Sequence, residues 1–187
     1  REFHDVFAIQ QEIAHSVVKA LRVTLSPQEK GALAEVPTSE VQAYDYYLRG
    51  RSFYYRYARH DIEFALQLFS RAIELDPGYA LAHAGLADCW SYIYLYSERK
   101  DAVRLQAEAA GCRAGELAPD SAQAQASFAV ALSLGPRKEE AKAAFEKAIE
   151  LDPTLFEAWY FYARHVFAGG DLAKAASLYE EAMRVRP

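Results

Sequence analysis

The stretch YYLRGRSFYYRYAR, Tyr46 to Arg59, alternates guanidinium groups with aromatic rings. Two kinds of ligand suit that mixture. Ring faces with cations stack on a single-stranded nucleic acid. They also hold an acidic or aromatic peptide through apolar contact and charged hydrogen bonds. Local charge favours the peptide, because residues 43–77 carry five arginines against five carboxylates and have no basic surplus to grip phosphates. Covalent chemistry would need a nucleophile with its base, a metal cluster or a phosphate cradle. His4, His15, His60, His83 and His165 are scattered, without HExxH spacing. Cys89 and Cys112 lie far apart, at helix positions that suit small buried side chains. GxSxG, GxGxxG and GxxxxGK[ST] do not occur. These residues are therefore expected to hold no catalytic centre, cofactor or metal.

The 187 residues are 52% hydrophobic and 25% charged, a globular balance, and the net charge is -5. No apolar run approaches the roughly 18 residues of a membrane span, so no membrane partner is expected. Two unpaired cysteines fit a reducing compartment, and a cytoplasmic location is expected. The chain opens on REFHDVF without an initiator methionine. It is expected to be a piece of something longer.

The elements that would position the arginines and tyrosines follow from a repeated phrase. AAFEKAIELDP ends at Pro153, LFSRAIELDP at Pro77, SLYEEAMRVRP at Pro187 and, in altered form, AAGCRAGELAP at Pro119. The intervals from Pro119 to Pro153 and from Pro153 to Pro187 are both 34 residues, and Pro77 to Pro119 is 42. Within each period small residues recur beside large ones: Ala163, Ala175 and Ala182 with Trp159, Tyr162 and Tyr179, and Ala129, Ala141 and Ala148 with Phe128 and Phe145. Small residues let two helices approach, and large ones fill the spaces left. Proline stops the second helix of each pair. Gly169, Gly170 and Asp171 read as a turn, with Asp171 capping the following helix.

Length and pattern together resemble the tetratricopeptide repeat family. The resemblance implies an all-α, right-handed superhelix of about four repeats, 43–77, 78–119, 120–153 and 154–187. Residues 1–42 are expected to form a helical extension before it, the end of a missing upstream domain. The resemblance also implies a concave groove lined by the first helix of each repeat. Carried onto this chain, the groove would include Tyr47, Arg51, Tyr54, Asp88, Tyr160, Arg164 and Phe167, and would bind a protein or peptide. The Lys and Asn that chaperone-binding members use to clamp a terminal carboxylate are absent here, so chaperone docking is not expected.

Three features stand apart from the repeats. SYIYLYSERKDAVRLQ, Ser91 to Gln106, carries eight extra residues and predicts a longer first helix with a protruding loop. Residues 3–25 place Phe3, Phe7, Ile9, Ile13, Val17, Val18, Leu21 and Leu25 at near-helical spacing, followed by a Ser26 cap and Pro27. Around DVFAIQQEIA and AYDYYLRGR the chain resembles the end of a TolB-like module. Such modules precede these repeats in large bacterial signalling proteins whose front halves are nucleotide cyclases, protein kinases or winged-helix regulators. An upstream domain acting in cis is thus expected. Finally, the fourth repeat ends without a polar cap, so either the protein continues or an apolar edge around Trp159, Phe161 and Tyr162 pairs with a second copy.

Overall fold

An Asp-Pro step separates the first helical hairpin from the second, and the third from the fourth, for two reasons. Proline removes a donor and clashes with a continuing helix. The preceding aspartate turns its side chain onto the released backbone: Asp76 Oδ1 accepts from the Gly78 amide at 2.9 Å, and Asp152 Oδ1 from the Thr154 amide at 2.8 Å.

The computed structural model describes residues 38–186 together with residues 9, 12, 13 and 16. Those four are helical; the remainder of the expected 3–25 helix, with Ser26 and Pro27, lies outside the described residues. Eight helices follow in order: α1 (Val41–Tyr54), α2 (Arg59–Leu75), α3 (Ala80–Tyr96), α4 (Asp101–Leu117), α5 (Ala122–Ser133), α6 (Lys138–Leu151), α7 (Phe156–Ala168) and α8 (Leu172–Val185). No strand occurs among the described residues. Ser121 Oγ caps α5 and Asp171 Oδ1 caps α8, each accepting an amide three residues on. Gly170 sits at φ +91° in the turn before α8, a left-handed backbone that glycine adopts without cost.

Each helix packs on the next, and the first helices of successive hairpins also touch: α1 on α3, α3 on α5, α5 on α7. The second helices do not pack on one another in this way. A stack that is close along one row and open along the other curves, so α1, α3, α5 and α7 form the inner layer of a superhelix.

Glycine and alanine set the spacing. A Cβ on Gly50 or Gly85 would stand 2.8 or 2.5 Å from Cε1 of Phe69, so this fully buried ring of α2 is wedged between α1 and α3. Phe145 fills the equivalent place in the third hairpin, stacked on Tyr162 with centroids 5.5 Å apart.

The same fourth place of α3, α5 and α7 carries an N–H-bearing side chain that reaches back to the proline carbonyl of the preceding turn. Gln125 donates to Pro119 at 3.2 Å, Trp159 to Pro153 at 2.8 Å, and His83 pairs with Pro77 at 3.1 Å. Carbonyls orphaned at a helix end are thereby satisfied from the next repeat.

The eight extra residues of the second hairpin do not make a protruding loop. The link at 97–100 is no longer than that at 134–137. The surplus is taken up by the helices, since α3 and α4 have 17 residues each where α5 and α6 have 12 and 14. The residues proposed for an exposed terminal edge also turn inward: Tyr162 is buried and Phe161 faces the groove. No described helix is long and apolar enough to cross a membrane.

Candidate peptide-binding groove

The inner layer carries a cleft of about 430 Å³. Its walls come from all four hairpins: Tyr54 and Tyr57 from the first; Asp88, Ser91, Tyr92, Leu95 and Tyr96 from α3; Val130 from α5; Phe156, Glu157, Tyr160 and Phe161 from α7. A second cavity of about 150 Å³ continues it, sharing Tyr54, Tyr57, Asp88, Val130, Glu157 and Phe161 and adding Arg51, Gln123 and Ser127. Among the described residues no group of three His, Cys, Asp or Glu is placed to hold a metal ion.

At the α1 end, Arg51 is fixed by its surroundings. It pairs with Asp88 at 3.3 Å, bonds the Tyr55 hydroxyl, and lies 4.6 Å from the Tyr55 ring centroid. The Gln123 side chain, with its oxygen turned to Arg51, accepts from both terminal nitrogens at 2.8 and 3.3 Å. Asp88 is deeply set, and burial pushes its carboxyl up to about 6, although Arg51 and a hydrogen bond from Ser127 pull the other way.

From there an aromatic row crosses to the fourth hairpin. Tyr55, Tyr57, Tyr92 and Tyr96 stand with successive centroids 6.5, 6.1 and 4.9 Å apart. The Tyr92 hydroxyl donates to the Tyr57 carbonyl at 2.6 Å. Tyr57 holds φ +53°, a left-handed conformation uncommon for an aromatic residue and typical of constrained functional loops. The row ends where Arg164 Nη1 donates to the Tyr96 hydroxyl at 2.6 Å and spreads over the Tyr96 and Phe161 rings. The extra turn of α3 thus forms a wall of the groove and bridges to α7.

The expected groove residues divide accordingly. Arg51, Tyr54, Asp88 and Tyr160 line the two cavities, and Arg164 braces their wall. Tyr47 does not belong to the open surface: its ring is buried, 5.9 Å from that of Phe69 on α2 and 5.2 Å from that of Tyr79. Phe167 is 58% exposed in the last turn of α7 but lines neither cavity. Ser91 and Glu157 stand at inward-facing positions of their repeats and do line the cleft, whereas Tyr96, Phe156 and Phe161 were not anticipated. Tyr96 lay in the surplus segment, and the other two become neighbours of it only through the curvature of the stack.

Hairpins of this length, stacked with one inner row and separated by Asp-Pro or Ala-Pro turns, are a tetratricopeptide repeat superhelix. The tetratricopeptide repeat family profile matches residues 122–155. The MamA 41-end structure from Desulfovibrio magneticus RS-1 superposes with a TM-score of 0.54 at 16% identity, covering 99% of this chain and 96% of that one. The first TPR of Spaghetti (RPAP3), bound to HSP90 peptide SRMEEVD, gives 0.54 at 19% identity, covering 73% and 99%. "Putative adenylate cyclase 3" of Rhizobium meliloti (strain 1021) is 33% identical over 87 residues. That match covers 46% of this chain and 15% of the relative, so the chain spans only a small part of that protein's length.

Proposed function

We propose that the concave face binds an extended segment of a partner protein, and that the array is a non-catalytic regulatory arm of a larger bacterial signalling protein in the cytoplasm. The single observation behind the binding role is the 430 Å³ cleft walled by side chains of all four hairpins. A concave, largely aromatic site with a few fixed polar groups is the usual form of a recognition surface. A structurally similar repeat domain holds an HSP90 peptide, which supports the mode of binding and not the partner.

The test is a displayed peptide library selected on the chain, beside a Tyr96→Ala, Arg164→Ala variant matched for helicity and melting temperature. Peptides retained by the wild type and lost by the variant support the groove. Selected peptides that bind both proteins equally move the site to another face.

A second reading concerns the kind of protein such an arm would serve. The identity to a putative adenylate cyclase favours a regulatory arm of a nucleotide cyclase, ahead of a protein kinase or a DNA-binding regulator. The TolB-like resemblance near the N-terminus agrees with either. Cyclase activity of the full-length protein that is unchanged when the repeats are deleted would reject it.

A further inference from the structure

The peptide-binding reading leaves open which side chain the cleft accepts, and its charges decide that. Arg51 and Arg164 were expected to anchor an acidic peptide. Both guanidiniums are already engaged, Arg51 with Asp88, Gln123 and Tyr55, and Arg164 with the Tyr96 hydroxyl and two rings. An incoming carboxylate would have to displace partners that these arginines already hold.

The negative side differs. Glu157, in the first turn of α7, lines both cavities, and its carboxylate makes no hydrogen bond or ion pair among the described residues. Burial is the largest cause of the raised pKa of Tyr57 and of Asp88, and the charge of Glu157 adds to it at both, which places its field inside the cleft. Ser91 is a second, independent sign. Its hydroxyl is buried, belongs to a residue of the cleft wall, and has no hydrogen-bond partner. A buried polar group left so is costly unless a ligand completes it, and its lone pairs accept from an N–H.

The remaining wall is aromatic, and ring faces attract cations. At the exposed mouth of the cleft Arg186 already lies over the Phe156 ring at 5.6 Å.

We infer that the cleft takes the basic side chain, lysine or arginine, of the bound partner segment. Its charged head lies at Glu157, with Ser91 Oγ as a further acceptor, and its methylene stem runs along the Tyr92 and Tyr96 rings. This inference rests on the peptide-binding reading, and the experiment separates the two.

Four blocked peptides Gly-Gly-X-Gly-Gly, with X lysine, arginine, norleucine or glutamate, are titrated into the chain while amide resonances are followed. The lysine or arginine peptide is expected to give saturable shifts in α3 and α7, with affinity about tenfold above norleucine, the value of one charged hydrogen bond. Glu157→Gln is expected to remove most of that preference while the remaining spectrum is unchanged, and Ser91→Ala to remove part of it. Glutamate binding as well as lysine, a preference untouched by both variants, shifts confined to other helices, or no shift with any peptide overturns the basic side chain. The library selection distinguishes the failures. Groove-dependent peptides without basic residues overturn this inference and leave the groove standing, whereas no groove-dependent peptide at all overturns both.

Discussion

Two buried hydroxyls without partners, those of Tyr79 and Ser91, sit in different surroundings and have different meanings. Tyr79 is fully buried against Tyr47 and lines neither cavity, so its phenol has lost water with nothing in return. Tyr79→Phe is expected to stabilise the chain by about 1 kcal/mol, read as a rise in the urea midpoint at constant slope. A loss of stability would mean that the hydroxyl is satisfied after all. Asp88 gives the pH dependence. Its carboxyl stands at about 6 in the folded chain against the ordinary 3.8, so the folded state holds a proton more tightly than the unfolded one. The penalty for keeping it charged is complete above pH 6 and is relieved as pH falls from 6 towards 4. Arg51 and Tyr54 face it from α1, Ser127 from α5 and Glu157 from α7, with Cys89 beside it. Wild type should therefore gain stability relative to Asp88→Asn as pH drops through that window, in paired thermal melts. A constant difference between the two proteins would show that Asp88 is not raised. Neither orphan hydroxyl was legible in the sequence, because a serine or tyrosine on a helix reads the same with or without a partner.

Helices and hairpins were far more legible. Proline spacing, the small–large alternation and the Asp171 cap all follow from chemistry within one hairpin, where residues three and four apart must share a face. The groove was less so. Tyr47 and Arg51 are four apart on α1, yet one packs on Phe69 and the other reaches Asp88, a division set by how far the next helix is rotated. The Phe69 wedge makes the element-scale prediction. Gly85→Ala gains about 1 kcal/mol of helix propensity but drives a methyl to 2.5 Å from a ring that Gly50 encloses from the other side. Overpacking of about 1–3 kcal/mol outweighs the gain, and the variant should be less stable than wild type in urea. Phe69→Leu should then cost less in the Gly85→Ala background than alone, since the two changes share one contact. Additive costs would mean that the ring moves aside freely.

At the scale of the whole molecule, among the described residues α7 and α8 are held by one neighbouring hairpin, while α3 to α6 are held on both sides. Stability in such a stack is a sum of nearest-neighbour terms, and the fourth hairpin leaves Phe167, Leu172 and Met183 more than half exposed. Amide exchange under native conditions should therefore be fastest in α7 and α8 and slowest in α3 to α6. Uniform protection would indicate a single cooperative unit. The lengthened second hairpin bears on how such an array can vary. A helix turns about 100° per residue, so an arbitrary insertion would swing every later side chain to a new bearing. Here the surplus is shared between α3 and α4, five residues to one and three to the other, so both arms of the antiparallel hairpin lengthen together and the packing of α4 on α5 is retained. Groove height is thus adjustable within a single hairpin, ahead of the stacking that follows.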